Sequence, residues 1–244
     1  MNNFFYNVSV AIPLRQTFTY HSKQKIIPGT RVAVKFGSRS KLGIVTEEIK
    51  ITTIQTKAIH QVLDNEPIFS EVELKILAWA SDYYHHPIGE VLGSFLPTNL
   101  RNIKTVMDDM DSVAKVEIEN NSFQKNLTPQ QTEAVKTFSE LRGFAPTLLY
   151  GVTGSGKTEV YIRCIQEQLL QQKSVLLLAP EIALTPQLEQ RVKDQFGPAV
   201  GMYHSKMTPA KRYKAWKQFR SGEINILIGT RSAAMMSAPK LGLI

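Results

Sequence analysis

Apolar and polar residues follow two different patterns along the chain. In the first 63 residues they alternate over short segments, which is typical of strands with one buried face. The predicted strands are Val8–Ile12, Thr17–Tyr20, Arg31–Phe36, Leu42–Val45 and residues 56–63. From residue 127 onward, apolar strands alternate with helical segments, which predicts a doubly wound parallel sheet. The pattern therefore predicts a small β-rich domain followed by an α/β domain.

Between these regions a helix is expected over Glu71–Tyr84, because Ser70 and Glu73 have the spacing of a capping box. Apolar residues recur along it at helical spacing, which predicts a stripe that faces the core. The stripe consists of Val72, Ile76, Trp79, Ala80 and Tyr83. A second short helix, Ile88–Leu96, is expected to stop at Pro97.

The α/β region contains four predicted helices and at least four predicted strands. The helices are Thr132–Leu141, Thr158–Gln172, Pro186–Phe196 and Thr208–Arg220. The strands are Thr147–Tyr150, Ser174–Ala179, Ala199–Tyr203 and Ile224–Ile228, with another beginning at Leu241. Ahead of this region, residues 101–126 are acidic, rich in Asn and poor in large apolar residues, which predicts a linker with one short strand at Val113–Ile118.

The net charge of +8 is unevenly distributed. Residues 1–60 and 127–244 each carry a net charge of +7, whereas residues 61–126 are acidic by six. Two basic blocks suit a protein that holds a polyanion at two places, and solvated surface lysines give the same pattern.

Composition argues against several classes of protein. The single cysteine, Cys164, leaves no intrachain disulfide and no cysteine-based metal cluster, and we expect it to be buried in a helix. No apolar run approaches the roughly 18 residues that a membrane span needs. The N-terminus lacks the basic start of a secretory signal. The adjacent His85 and His86 have no acidic or cysteine partners at ligand spacing, so we do not interpret them as a metal site.

The most specific motif, G-x-x-x-x-G-K-T, lies between a predicted strand and a predicted helix. It consists of Gly151, Val152, Thr153, Gly154, Ser155, Gly156, Lys157 and Thr158. Its glycines let successive N–H groups converge on phosphate oxygens, and the following helix N-terminus adds positive potential. Lys157 and Thr158 are the candidate catalytic residues: Lys157 to reach the β- and γ-phosphates of ATP, and Thr158 to offer its hydroxyl to Mg²⁺.

The N-terminal region offers a second candidate site. Phe18, Tyr20 and Phe36 interleave with cations, and Phe36–Lys41 is predicted to be a basic loop. Aromatic rings that stack on bases and cations that contact phosphates are what a single-stranded nucleic acid end needs. Aromatic residues also fill the cores of β-barrels, so this pattern alone leaves both interpretations open. The candidate cations are Lys35, Arg39 and Lys41.

Seven segments carry a resemblance to a known family. Those in the α/β region are Gly151–Tyr161, Leu178–Gln187, Tyr203–Ser205 and Gly229–Ala233. Those in the N-terminal region are Arg15–Tyr20, Val34–Gly37 and Asp82–Gly89. The first set resembles the motor motifs of the primosomal protein N′ (PriA) family of replication-restart helicases, and the second set is similar to that family's 3′-DNA-end-binding domain. The resemblance covers both ends of the chain.

The resemblance implies an ATP-dependent, 3′-to-5′ DNA helicase of superfamily 2, a hydrolase that recognises stalled or branched forks and initiates primosome assembly for replication restart. It implies that Phe18, Thr19 and Gly37, next to Tyr20, hold the terminal nucleotide, and that Gln131 reads adenine. Thr19 stands where some members have Asp, which bears on the base contact and not on the phosphate contacts. The residues that match motifs gripping the backbone of the tracking strand are Pro180, Thr185, Gln187, Thr230, Arg231 and Ser232.

The implied architecture is a 3′-DNA-end-binding domain at 1–104, a linker at 105–126 in place of the family's winged-helix domain, and an incomplete RecA-like P-loop lobe at 127–244. The chain ends where a D-E-x-H motif is expected, so this chain alone is expected to bind DNA 3′ ends and ATP without unwinding. Zinc is expected only in the C-terminal part of such proteins. The implied partners are DNA, primosome proteins and single-stranded DNA-binding protein, with no membrane, in the cytoplasm at the bacterial nucleoid.

Two other interpretations of the sequence compete with this one. One is a truncated DNA-end-binding module whose motor half is vestigial. The other is an unrelated P-loop ATPase such as a kinase, which the segment Gly229–Ser232 and the N-terminal region both disfavour.

Overall fold

A computed structural model describes residues 3–50, 55–107, 126–180, 186–238 and 240–244. The chain divides into two compact units, one built by the residues before the gap at 108–125 and one built by most of the residues after it. Each unit is described by itself. None of the helices in the described ranges is long and apolar enough to cross a membrane.

The first unit is a closed five-stranded barrel. Its strands are β1 (Phe4–Val10), β2 (Phe18–Ser22), β3 (Arg31–Phe36), β4 (Arg39–Ile49) and β5 (Lys57–Val62). The five predicted strands are therefore confirmed, although several boundaries shift. The strand order is β1-β2-β5-β3-β4; β1 and β2 pair antiparallel, as do β3 and β4, whereas β2 and β5 run parallel.

The core of the barrel follows from the period-two pattern of its strands. Tyr6, Val8 and Val10 alternate inward along β1 and pack with Val32 and Val34 of β3. The hydroxyl of Tyr6 accepts a hydrogen bond of 2.8 Å from the backbone N–H of Ile26, which ties the loop after β2 to the core. Burial raises the pKa of Tyr6 because it disfavours the phenolate, while this hydrogen bond acts in the opposite direction.

A fully buried ion pair joins the start of β3 to Asp64, two residues after the end of β5. The Nε and Nη2 atoms of Arg31 donate to the two carboxylate oxygens of Asp64 at 2.8 and 2.5 Å. The same guanidinium donates to the carbonyl oxygens of Leu100 at 2.5 Å and Thr105 at 3.0 Å. Four hydrogen bonds thus satisfy this buried cation and connect the barrel to the segment that follows its helices.

Two helices follow the barrel strands: α1 (Glu71–Tyr83) and α2 (Ile88–Phe95). The predicted capping box is confirmed, since the side chains of Ser70 and Glu73 and their backbone N–H groups bond reciprocally. The predicted core stripe of α1 is wrong in all but one residue. Of its five members only Ala80 is buried, and Leu77 takes the other core position, while the four remaining side chains are exposed: Val72, Ile76, Trp79 and Tyr83. Helical spacing shows which residues share a face, and packing decides which face is covered.

The second unit contains a four-stranded sheet. Its strands are β6 (Ser174–Leu178), β7 (Val200–Tyr203), β8 (Ile226–Gly229) and β9 (Leu241–Leu243). The strand order is β7-β8-β6-β9, and the three strand pairs are parallel, which confirms the predicted α/β class. Along the chain these strands alternate with the helices α3 (Pro129–Glu140), α4 (Lys157–Leu170), α5 (Pro186–Phe196) and α6 (Pro209–Ser221).

One strand predicted for this sheet does not form. Residues Thr147–Tyr150 form no strand, and the side chains of Leu148 and Tyr150 are 86% and 90% exposed. A strand is stabilised by pairing with a neighbour, and this segment pairs with none of the described strands. The segment is apolar enough for a buried strand, but its own sequence does not determine whether a neighbouring strand pairs with it.

The predicted linker is largely untested. Residues 108–125, including the predicted short strand at Val113–Ile118 and the position expected for a winged-helix domain, lie outside the described residues. The boundaries at 104 and 126 therefore stay predictions.

We predict that Asp64→Asn destabilises the barrel by about 3–5 kcal/mol, because it leaves the buried charge of Arg31 without its carboxylate. Hydrogen exchange measured by mass spectrometry should show faster exchange in the peptides that contain β3 and β5. The control is Glu71→Gln, which removes the exposed ion pair between Glu71 and Lys75 and should leave that exchange unchanged. Equal protection of β3 in Asp64→Asn and in the unmodified chain would contradict the role of the pair.

Candidate nucleotide and DNA sites

The glycine-rich loop turns directly into α4. Gly154 and Gly156 have φ angles of 83° and 81°, in the left-handed region where a side chain is strained. Gly156 is the N-cap of α4, and it has no side chain to bond the free N–H groups of the first turn. These groups and the positive end of the helix are available to an anion.

The side chain of Lys157 lies over the loop that precedes it. Its Nζ atom donates to the carbonyl oxygen of Gly151 at 2.6 Å and to that of Val152 at 2.9 Å. Thr158 is the second residue of α4 and is partly exposed. The loop from Val152 to Ser155 is open to solvent, so a ligand has access to all of these groups.

Gln131 connects α3 to the loop. Its Nε2 atom donates to the carbonyl oxygen of Ser155 at 3.2 Å, and its Oε1 atom accepts from the backbone N–H of Thr128 at 2.9 Å. The hydroxyl of Thr128 in turn accepts from the backbone N–H of Gln131, which completes a capping box at the start of α3. Further along the two helices, the Ser139 hydroxyl donates to the Glu167 carboxylate at 2.8 Å. Gln131 is thus held beside the loop by its own helix.

The carboxyl ends of three strands form one row at an edge of the sheet. Leu178 of β6 lies opposite Gly229 of β8, and Gly229 lies opposite Tyr203 of β7. The short turn after α4 reverses the chain into β6, so the N-terminus of α4 lies toward the same edge. Ligands of open α/β sheets bind outside the carboxyl ends of the strands.

The predicted tracking-strand residues are distributed around this edge. Pro180 follows β6 and is exposed, as are Gln187 on α5 and both Arg231 and Ser232 after β8. Thr230 differs, because it is only 2% exposed and its hydroxyl lies 3.5 Å from that of Ser232. Thr185 lies outside the described residues.

In the barrel, β2 and the β3–β4 hairpin bring the predicted end-binding residues together. The rings of Phe18 and Phe36 meet edge to face with their centroids 5.0 Å apart. Gly37 follows at once, with a φ of 59° in the exposed two-residue turn between β3 and β4. The predicted basic loop is therefore mostly strand, because Arg39 already pairs with Phe36 and Lys41 continues β4. Arg39 and Lys41 share one face of that strand.

Tyr20 belongs to the core instead of the surface. It is 4% exposed, and its hydroxyl donates to the carbonyl oxygen of Lys35 at 3.2 Å. Burial raises its pKa. Its ring is covered and unavailable for stacking on a base, but it fixes the end of β3 next to the turn. Lys35 itself is exposed, and the hydroxyl of Thr19 lies 3.4 Å from Oδ1 of Asn7, to which it donates.

One exposed cation near this cluster escaped the sequence analysis. The parallel pairing of β2 with β5 places Lys57 opposite Tyr20, close in the sheet to Thr19. Lys57 is exposed. No local signal marks it, because the two strands are distant in sequence and their pairing is parallel.

Two other candidate groups have ordinary structural roles. His86 forms a 3.0 Å contact between its Nε2 and the Glu90 carboxylate, and the described residues contain no group of three potential His, Cys, Asp or Glu metal ligands. Cys164 is buried within α4, as predicted, and burial raises its pKa to about 12. A thiol with that pKa is an unreactive core group.

Two family models match the chain in succession. The PriA-type 3′DNA-binding domain matches residues 7–97, and the DEAD/DEAH box helicase matches residues 128–240. The first match covers most of the barrel with helices α1 and α2, and the second covers strands β6, β7 and β8 with the glycine-rich loop. The chain therefore combines a DNA-binding barrel with a helicase domain.

Curated proteins similar to the chain have a common description, replication restart protein PriA. The one from Helicobacter pylori strain J99 is 34% identical over 93% of this chain, and that of Haemophilus influenzae is 30% identical over 97% of it. The protein from Synechocystis is 47% identical over 51% of the chain. The chain spans 34% of the length of the Helicobacter relative. With both domains present in order, the chain belongs to the PriA family of replication restart proteins.

We predict that Lys157→Ala lowers affinity for a fluorescent ATP analogue by at least about tenfold, since it removes the cation that we expect to contact the phosphates. Titration of the full chain measures this affinity. Lys136→Ala, which removes an exposed lysine from α3, is the matched control and should bind like the unmodified chain. Unchanged affinity in Lys157→Ala, with an unchanged circular dichroism spectrum, would exclude this loop as the nucleotide site.

Proposed function

We propose that the chain is the DNA-end-binding and first motor part of an ATP-dependent 3′-to-5′ DNA helicase that recognises stalled or branched replication forks and initiates primosome assembly. The single observation that supports this most is the presence, in one chain, of a barrel with clustered end-binding residues and a lobe with an accessible glycine-rich loop. The two family models that match the chain describe the same combination, a 3′DNA-binding domain followed by a helicase domain.

The barrel site fits a terminal nucleotide. Phe18 is partly exposed and braced by Phe36, and the turn at Gly37 has no side chain to block the approach of a sugar. Lys35, Arg39, Lys41 and Lys57 supply cations for the adjoining phosphates. Because phosphate contacts carry no sequence information, we propose that this site reads a free 3′ end regardless of its sequence.

The loop and α4 fit a nucleoside triphosphate with its Mg²⁺. The residues that would hold it are the loop from Gly151 to Gly156, Lys157 and Thr158, and the Mg²⁺ would neutralise phosphate charge when bound. Gln131 would contact adenine, since its amide already lies beside the loop. The carboxylate of Glu159, one residue after Thr158, would lie close to the phosphates. Its negative charge is offset by an ion pair with Arg191.

The carboxyl edge of the sheet fits the backbone of a tracking strand. Arg231 and Ser232 after β8 and Gln187 on α5 offer charged and polar side chains at that edge, and the exposed Pro180 follows β6 there. Thr230 would act by holding the turn that presents them, since its side chain is buried. By family, we extend the proposal to primosome proteins and single-stranded DNA-binding protein as partners.

We predict that the full chain binds a recessed DNA end with a free 3′-hydroxyl about tenfold more tightly than the same end carrying a 3′-phosphate, a difference of about 1.4 kcal/mol. The physical reason is that the proposed site binds the terminal hydroxyl itself, and a 3′-phosphate removes the hydrogen that this hydroxyl would donate. Fluorescence anisotropy with matched forks measures both affinities.

The preference should depend on the barrel cluster. Phe18→Ala is expected to remove it, whereas Tyr83→Ala, which removes an exposed ring elsewhere in the same unit, should retain it. Equal affinity of the unmodified chain for both kinds of end would refute 3′-end recognition.

A further inference from the structure

One stretch of the α/β region of the sequence carries cations without any acidic residue. Between Asp194 and Glu223 the sequence contains six Lys and Arg residues and no Asp or Glu. They are Lys206, Lys211, Arg212, Lys214, Lys217 and Arg220. Most of the stretch is helix α6 and its approach, so the charge lies on a defined surface and not in a loose tail.

Packing decides which side of α6 faces outward. Ala215, Trp216 and Phe219 are its buried residues and define the side that contacts the unit. With 3.6 residues per turn, Lys214 and Lys217 lie on the opposite side, one turn apart. Lys214 is exposed and Lys217 is partly exposed. We call this pair the α6 lysine face.

The cations of this stretch have different surroundings. Arg220 is committed to internal contacts, since it donates to the Ser237 hydroxyl at 3.0 Å and lies 5.5 Å from the centre of the Trp216 ring. Lys214 and Lys217 have no ion-pair partner among the described residues. By contrast, Lys193 on α5 pairs with Glu189 at 2.6 Å. The α6 lysine face therefore presents positive charge that the second unit does not neutralise.

Unneutralised lysines one turn apart repel each other and gain most from a polyanion. Flexible ammonium groups suit phosphates, which accept hydrogen bonds from many directions, and give no base readout. An acidic protein segment would need an apolar anchor as well. The neighbouring outward positions on α6 are Ala210 and Ser221, which are too small to provide one. The surface chemistry thus favours a nucleic-acid backbone.

We propose that the α6 lysine face binds the phosphate backbone of DNA, as a contact surface separate from the end-binding cluster of the barrel and from the carboxyl edge of the sheet. This proposal rests on the proposed function only in that the chain binds DNA. The contact is sequence-independent and electrostatic, so its contribution falls as salt rises.

The test measures DNA affinity of the full chain against salt concentration for a duplex whose 3′ ends are both blocked by phosphate. Lys214→Gln/Lys217→Gln should lower the slope of log K against log salt by about 1.8, since each lost phosphate contact contributes about 0.9. The matched control is Lys136→Gln/Lys193→Gln, which removes the same charge from α3 and α5. The control should retain most of the slope.

Equal slopes in the two double variants would overturn the proposal, because general charge would then explain the binding. A slope that falls only with polyglutamate as the ligand, and not with DNA, would also overturn it and identify an acidic protein surface as the partner. The same protein variants separate this proposal from 3′-end recognition when they are titrated with forks that have a free or a phosphorylated 3′ end. Lys214→Gln/Lys217→Gln should keep the preference for the free 3′-hydroxyl. If the unmodified chain shows no such preference, that result counts against the barrel site alone.

Discussion

The buried ion pair between Arg31 and Asp64 is the constraint on which the barrel depends. It closes the seam where β3 begins and β5 ends, and it fastens the segment at Leu100 and Thr105 to the same point. A buried charge is tolerated only when its partner and hydrogen bonds are in place, so these segments must be ordered together. At its other end β3 leads directly to Phe36 and Gly37, which makes the end-binding cluster an extension of the strand that the ion pair anchors.

In the second unit, strand register and not a buried charge brings the candidate residues together. Parallel pairing aligns Leu178, Tyr203 and Gly229, and whatever follows each strand emerges on one side of the sheet. The N-terminus of α4 points to that side, so the proposed nucleotide site and the proposed tracking-strand residues lie at one edge of the sheet. The glycine-rich loop is exposed, and Lys157 donates hydrogen bonds to the carbonyl oxygens of Gly151 and Val152.

Features encoded by a few neighbouring residues were predicted correctly. The features that differ from the prediction depend on packing between residues that are distant in sequence. The capping box at Ser70 and the glycine-rich loop that begins at Gly151 are encoded within a few residues, and the structure contains both. The burial of Tyr20 and the proximity of Lys57 depend on which strands pair across the barrel, which no short window of sequence specifies. The same applies to α1, where helical spacing fixes the faces of the helix and its neighbours choose among them.

The central claim is that the cluster at Phe18, Thr19 and Gly37 binds a free DNA 3′ end. Its most direct test is a backbone amide NMR titration of the full chain with a dinucleotide that ends in a 3′-hydroxyl. The account predicts that the amide signals of these three residues shift, and that a 3′-phosphorylated dinucleotide leaves them in place. Shifts confined to other parts of the barrel, or equal shifts with both dinucleotides, would contradict it.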